Sequence, residues 1–161
     1  MMTGAELQSL TDFLALTPAR VRQLTSDLSE REARWKPSPQ EFSALENICH
    51  LNDLEREGYA VRLEKLIGEE QPFLPDFDGG KIAAERDYNQ RQLAVMLDAF
   101  TRSRESNLRA VYALSPEELQ RGGTLEGVGP ITLESLLLKM REHDEAHLQE
   151  LSDLRTRLSW R

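Results

Sequence analysis

Residues 143 to 147 read His-Asp-Glu-Ala-His, so two imidazoles stand four positions apart on a stretch with helical apolar spacing. Positions i and i+4 of a helix are neighbours on one face, so His143 and His147 can share one divalent ion if a third ligand arrives from elsewhere. The chain contains one other histidine, His50, in Ser-Ala-Leu-Glu-Asn-Ile-Cys-His-Leu. Three neutral imidazoles on one ion leave coordination positions open, the layout of a site that acts on water, a thiol or a carbonyl. The residues alone also allow a second reading, in which each histidine is a separate helix side chain, buried and hydrogen-bonded or simply wet. The pattern is not the zinc-protease helix motif, because Asp144 follows His143 directly and the glutamate comes one later, at Glu145. No general base is placed by it.

The elements that must carry these residues are helices. Leu133, Leu137, Met140, Asp144, His147, Leu151, Leu154 and Leu158 form one seam, which predicts a helix over 133–158 with His147 where a leucine would be expected. His50 falls in a second helix, from a Ser43 cap to about Ile67, whose apolar residues lie on two stripes. A first helix is predicted over 3–28, interrupted at Thr17-Pro18 by a kink or a break into two abutting helices, since proline removes a backbone bond and disfavours helical geometry before it. The remaining one should span about 83–114, with Leu93, Leu97, Phe100, Arg104, Leu108 and Val111 inward. Arg104 interrupts that apolar run, so it either pairs with a carboxylate from another helix or faces a polar cavity as an anion anchor. Thr3, Ser29, Ser43 and Ser115 each precede a glutamate by three positions, the capping-box form that marks helix starts.

Between these helices, Trp35-Lys-Pro-Ser-Pro39 reads as a connector with Trp35 plugging the bundle end. Residues 68–80, rich in glycine, proline and acids, form a loop long enough to cross one end of a bundle, and 122–130 reads as irregular up to a Thr132 cap. No strand-like alternation runs beyond a few residues. The expected fold is all-α: one domain over 1–161, a four-helix bundle with a crossover connection between its second and third helices.

Composition narrows the function classes. The 161 residues carry a formal charge of −8 and 39% apolar content, enough for a core without staples. An acidic chain with no basic cluster is expected to bind no nucleic acid. No apolar run approaches the ~18 to 20 residues that span a bilayer, so no membrane partner is expected. A single cysteine, Cys49, excludes an internal disulfide and fits a reducing compartment, so the expected location is the cytoplasm. Cys49 itself points about 100° from His50 and reads as a packing residue.

Several of these residues carry a resemblance. Trp35-x-Pro-x-Pro, Phe42-Ser43-x-x-Glu46-x-x-x-His50-Leu51, Leu74-Pro-x-Phe-Asp78, Tyr88, Phe100-x-x-x-Arg104, Gly129-x-x-Thr132-Leu133 and His143-Asp144-x-x-His147-Leu148 are similar to the DinB/YfiT superfamily. The resemblance covers Trp35 to Leu148. It implies a four-helix bundle in which His50, His143 and His147 bind one divalent metal, Zn or Ni foremost and Fe as an alternative. Some members dimerise, so a homodimer is an expectation. Family activities include metal-dependent transfers and isomerisations using low-molecular-weight thiols such as bacillithiol and mycothiol. Two departures bear on the pocket: Phe42 stands where many relatives have tryptophan, and Gly79-Gly80-Lys81 stands where they have a further aromatic.

Two functions from different classes fit these observations. One is an enzyme, a metal-dependent thiol S-transferase or hydrolase acting on a small electrophilic molecule, with Arg104 a candidate anion anchor. The other is a non-catalytic metal-binding or stress-response protein whose metal stabilises a dimerising bundle. A protein carboxylate closing the coordination shell, from Glu46, Asp53 or Glu57, would favour the second.

Overall fold

A computed structural model describes residues 1–160. Its elements in chain order are α1 (Gly4–Thr25), α2 (Glu30–Ala33), α3 (Ala44–Asp53), a π-helical segment (Leu54–Tyr59), α4 (Ala60–Gly68), β1 (Phe73–Leu74), α5 (Gly79–Glu85), a 3-10 turn (Tyr88–Gln90), α6 (Leu93–Tyr112), a second 3-10 turn (Glu118–Gln120), β2 (Gly122–Leu125), β3 (Gly129–Thr132) and α7 (Leu133–Ser159). The bundle consists of α1, the continuous α3–π–α4 helix, α6 and α7. Thr3, Ser29 and Ser43 each accept a backbone N–H from the glutamate three residues on, and that glutamate bonds back to the cap. Ser115 and Glu118 make the same reciprocal pair. These bonds satisfy donors that the first helical turn would otherwise leave unpaired.

Side-chain bonds give the helix directions. Thr17 meets Asp144 and Asp27 meets Arg155, so α1 and α7 run parallel. Asn47 meets His147 and His50 meets His143, so α3 is antiparallel to α7. Asn52 meets Ser103 and Glu55 meets Asn107, so the second and third long helices run parallel to each other. Consecutive parallel helices require the intervening chain to return along the bundle. Residues 69–92 are therefore a crossover, as the sequence predicts.

Three local expectations need correction. α1 continues through Pro18 as one helix. Pro18 cannot donate to the Leu14 carbonyl, and Arg104 donates to it instead at 2.9 Å. The third long helix begins at Leu93 and not near Ala83, because Asp87 adopts a left-handed φ of 48° and stops the short α5 from propagating. Residues 122–132 are not irregular: β2 and β3 form a hairpin, and β1 from the crossover adds to β2 in parallel. Strands of two and four residues are too short to show an alternating pattern in sequence. Among the described residues, no helix is long and apolar enough to cross a membrane.

Two apolar clusters fill the bundle. One gathers Leu63, Leu74, Leu125, Ile131 and Leu137 at the sheet end. The other gathers Val21, Ile48, Cys49, Phe100 and Leu151, with the half-buried Trp35 packed against it. The helices pass from one cluster to the other through polar residues: Thr17 on α1, His50 on α3, Arg104 on α6, Asp144 and His147 on α7. The three histidines and Arg104 lie in that layer.

Candidate metal centre

His143 and His147 come from successive turns of α7, and His50 faces them from α3. The Nε2 atom of His143 lies 3.2 Å from that of His50 and 3.1 Å from that of His147. His50 and His147 are buried and His143 is half-buried. All three predicted ligands are thus brought together.

The tautomer of His147 follows from its partner. Asn47 Nδ2 donates to the Ser43 carbonyl at 3.0 Å, which turns Asn47 Oδ1 toward His147 Nδ1 at 2.6 Å. An amide oxygen only accepts, so Nδ1 carries the proton and Nε2 presents a lone pair to the other rings. Burial, and then the charge His147 would carry, push His50 down to about 4 and His143 down to about 3. Both rings are therefore neutral at pH 7.

These rings cannot satisfy one another. One proton on His143 Nε2 could serve one of its two Nε2 contacts, leaving the other as facing lone pairs or facing protons. His50 Nδ1 and His143 Nδ1 are also buried without a hydrogen-bond partner. A cation among the three nitrogens resolves the conflict, and tetrahedral nitrogen ligands at the usual zinc distance lie about 3.4 Å apart. The donor set fits a divalent ion, and imidazole suits Zn, Ni, Cu and Fe alike.

Among the described residues, the three histidines form a group with no carboxylate as a fourth member. The acids that could have closed the shell are engaged elsewhere. Glu46 bonds the Ser43 amide and Lys36. Asp53 takes Arg86 and the Tyr88 hydroxyl, and Glu57 takes Arg86. A cleft of about 400 Å³ reaches the site at His147, between Phe42, Glu150 and Arg157. A larger groove of about 700 Å³ between α1 and α6 holds none of the three histidines.

A model of the DinB superfamily matches residues 14–151. This chain belongs to the DinB superfamily. YfiT from Bacillus subtilis, described as a probable metal-dependent hydrolase with an unusual four-helix bundle topology, is structurally similar, with a TM-score of 0.90 at 17% identity. The likeness covers 100% of this chain and 92% of YfiT, and at that identity it shows the shared fold. No curated protein matches the sequence.

Within this DinB-superfamily bundle, Arg104 bonds Asp144, the residue that follows His143. Its guanidinium is 1% exposed and bonds Asp144 through two nitrogens, at 2.7 and 2.8 Å, and Glu55 at 2.7 Å. Thr17 and Asn107 complete the carboxylates' partners. All four long helices contribute, and only Arg104 Nε is left unbonded within the cluster. Burial lowers the pKa of Arg104, but Glu55 and Asp144 outweigh it and keep the group charged. Of the two roles open from sequence, the contacts are those of the buried ion pair.

Asn47 and Gly79 also shape the site. Asn47 lies three residues before His50 but carries no motif. Gly79 matters through space alone: a Cβ there would sit 2.5 Å from His50 Cε1, so the second departure from the family pattern leaves room for the ring. The π segment did have a signal, since Leu45, Ile48, Leu51 and Leu54 step by three and the next buried apolar side chain, Tyr59, comes five later. That five-residue step is the π-helical spacing.

Proposed function

We propose that this chain is a metal-dependent hydrolase acting on a small electrophilic substrate, with His50, His143 and His147 as its metal ligands. The observation that carries the reading is three converging imidazole nitrogens with no carboxylate to close the shell, beside a cleft large enough for a substrate. YfiT's description as a probable metal-dependent hydrolase on the same fold supports it. When bound, a divalent ion supplies Lewis acidity, acidifying water or a thiol and polarising a carbonyl. The chain's own residues do the positioning. Asn47 holds His147 in the ligating tautomer, Gly79 admits the His50 ring, and Phe42 and Phe77 shield that ring at centroid distances of 5.6 and 6.2 Å. Arg104 acts at one remove, fixing Asp144 and with it the turn of α7 that presents His143.

Thiol S-transfer is the second reading, and one observation shapes it. Cys49 is wholly buried and desolvation pushes its thiol up to about 12, so it supplies no nucleophile. Any thiol must therefore enter as a low-molecular-weight molecule, and the cleft has room for one. A shell closed by a protein carboxylate would favour the non-catalytic alternative, and Glu46, Asp53 and Glu57 are engaged with other partners.

The test uses protein purified without an affinity tag, analysed for metal and then loaded with Zn, Ni or Fe(II). Ester and amide substrates are assayed with and without a small thiol, against His147→Leu as control. Metal-dependent turnover lost in the variant supports the reading, and acceleration by thiol selects the transferase. Absence of metal in the wild type together with equal rates in both proteins would remove it.

A further inference from the structure

One largely buried charge near the histidines has no ion-pair partner among the described residues. Arg62, on α4, is 8% exposed, and among the described residues no carboxylate pairs with it. Its Nε is buried with no hydrogen bond, and no described residue accepts one from its other nitrogens. Asp76 on the crossover acts on it only from a distance. A largely buried arginine with no anion beside it gives up part of its hydration without the compensation of an ion pair, and its terminal nitrogens, which are not buried, stay open to a ligand.

The surroundings point to the use. Arg62 Cζ lies 5.9 Å from the centre of the Tyr59 ring, and that ring stands edge-on to His143 at 6.4 Å. Tyr59 is 4% exposed and its hydroxyl makes no hydrogen bond among the described residues. Burial pushes its pKa up, so the hydroxyl remains a donor at neutral pH. Tyr59 is there because of the π segment: at 100° per residue it would lie about 180° around the helix from His50. The extra residue that a π turn accommodates swings it back by about 100°, toward α7. Arg62, three residues on, shares that face.

We propose that Arg62 and Tyr59 form an oxyanion subsite beside His143, binding a carboxylate or phosphoryl group of the substrate and so orienting its electrophilic centre toward the three histidines. The subsite supplies charge and a planar fork of donors where a dication on neutral imidazoles would add further positive potential. The orienting role rests on the metal-site reading above, whereas the anion binding stands on Arg62 and Tyr59 alone.

Acetate and inorganic phosphate serve as probes at fixed ionic strength, with chloride as the control anion. Binding and thermal melts are measured for wild type, Arg62→Met and Arg62→Lys, each zinc-loaded and metal-depleted. The expected result is that one or both probes bind and raise the melting temperature of wild type in both metal states. Arg62→Met should weaken that binding at least tenfold while leaving zinc affinity within about threefold, and Arg62→Lys should be intermediate. Acetate binding without phosphate binding identifies a carboxylate subsite, and the reverse a phosphoryl one. In the absence of probe, Arg62→Met should melt no lower than wild type, because no ion pair is lost with the charge. Equal probe binding by metal-depleted wild type and Arg62→Met, or no binding by wild type, overturns the proposal. A misfolded or destabilised Arg62→Met does so as well, by showing a structural role. Failure of zinc to bind wild type, with probe binding through Arg62 intact, removes the metal reading and leaves the subsite.

Discussion

Two buried arginines in the same bundle are treated in opposite ways. Arg104 is enclosed by two carboxylates, a carbonyl and the groups that hold those carboxylates, and it ties all four long helices together. Arg62 is less deeply buried and has the Tyr59 ring beside it, but no carboxylate among the described residues pairs with it. The histidines beside it follow the same division, since His147 has its Asn47 while His50 Nδ1 and His143 Nδ1 have no partner. A polar group satisfied within the chain contributes to the fold, whereas one left unsatisfied costs stability and stays available to a ligand. The bundle's polar layer thus has a structural half around Arg104 and a receptive half around the histidines.

The largest effect should come from breaking the satisfied half. Arg104→Met orphans Glu55 and Asp144 together, so the variant should lose about 3 to 5 kcal/mol by denaturant unfolding of metal-free protein. A loss under ~1 kcal/mol would show the network to be dispensable and the contrast empty. His147→Leu breaks the receptive half instead. Leucine suits the apolar seam of α7, so calorimetry should find zinc binding abolished while the metal-free fold stays within about 1.5 kcal/mol of wild type. Retained full-affinity binding would mean that the three histidines do not share an ion.

A smaller change sharpens the boundary between the halves. Asn47→Ala removes the acceptor that sets the His147 tautomer, and zinc affinity should fall about 10- to 100-fold. An unchanged affinity would assign Asn47 to packing alone.

A pH series tests how the fold holds the histidines neutral. His50 and His143 have folded-state values of about 4 and about 3, below the ~6.5 of an unfolded chain, so the unfolded state binds more protons between those limits. Their contribution to metal-free stability is present in full above about pH 6.5 and declines as pH falls toward 4. Melts of wild type compared with His50→Leu over that range should show the variant with the shallower decline. Parallel curves would mean that His50 is not held neutral by the fold.

Much of this was legible in the sequence, because helical periodicity is a local property that one chain displays without its neighbours. The seam of α7, the capping boxes and the crossover are all read from residue types and spacing. So is the His143–His147 pair, since i and i+4 meet on any helix. What depended on tertiary structure involves partners distant in sequence or space occupied by other elements. Whether His50 turned toward α7, and which acid met Arg104, depended on packing between helices whose registers no local pattern reports. Pro18 stays inside one continuous α1, and the carbonyl it leaves free is bonded by Arg104, eighty-six positions on. Gly79 reads as a loop glycine until the His50 ring is seen against it. The isolation of Arg62 is the clearest case: sequence shows that an arginine is present, but only the assembled bundle shows that every nearby acid is already committed or too far away.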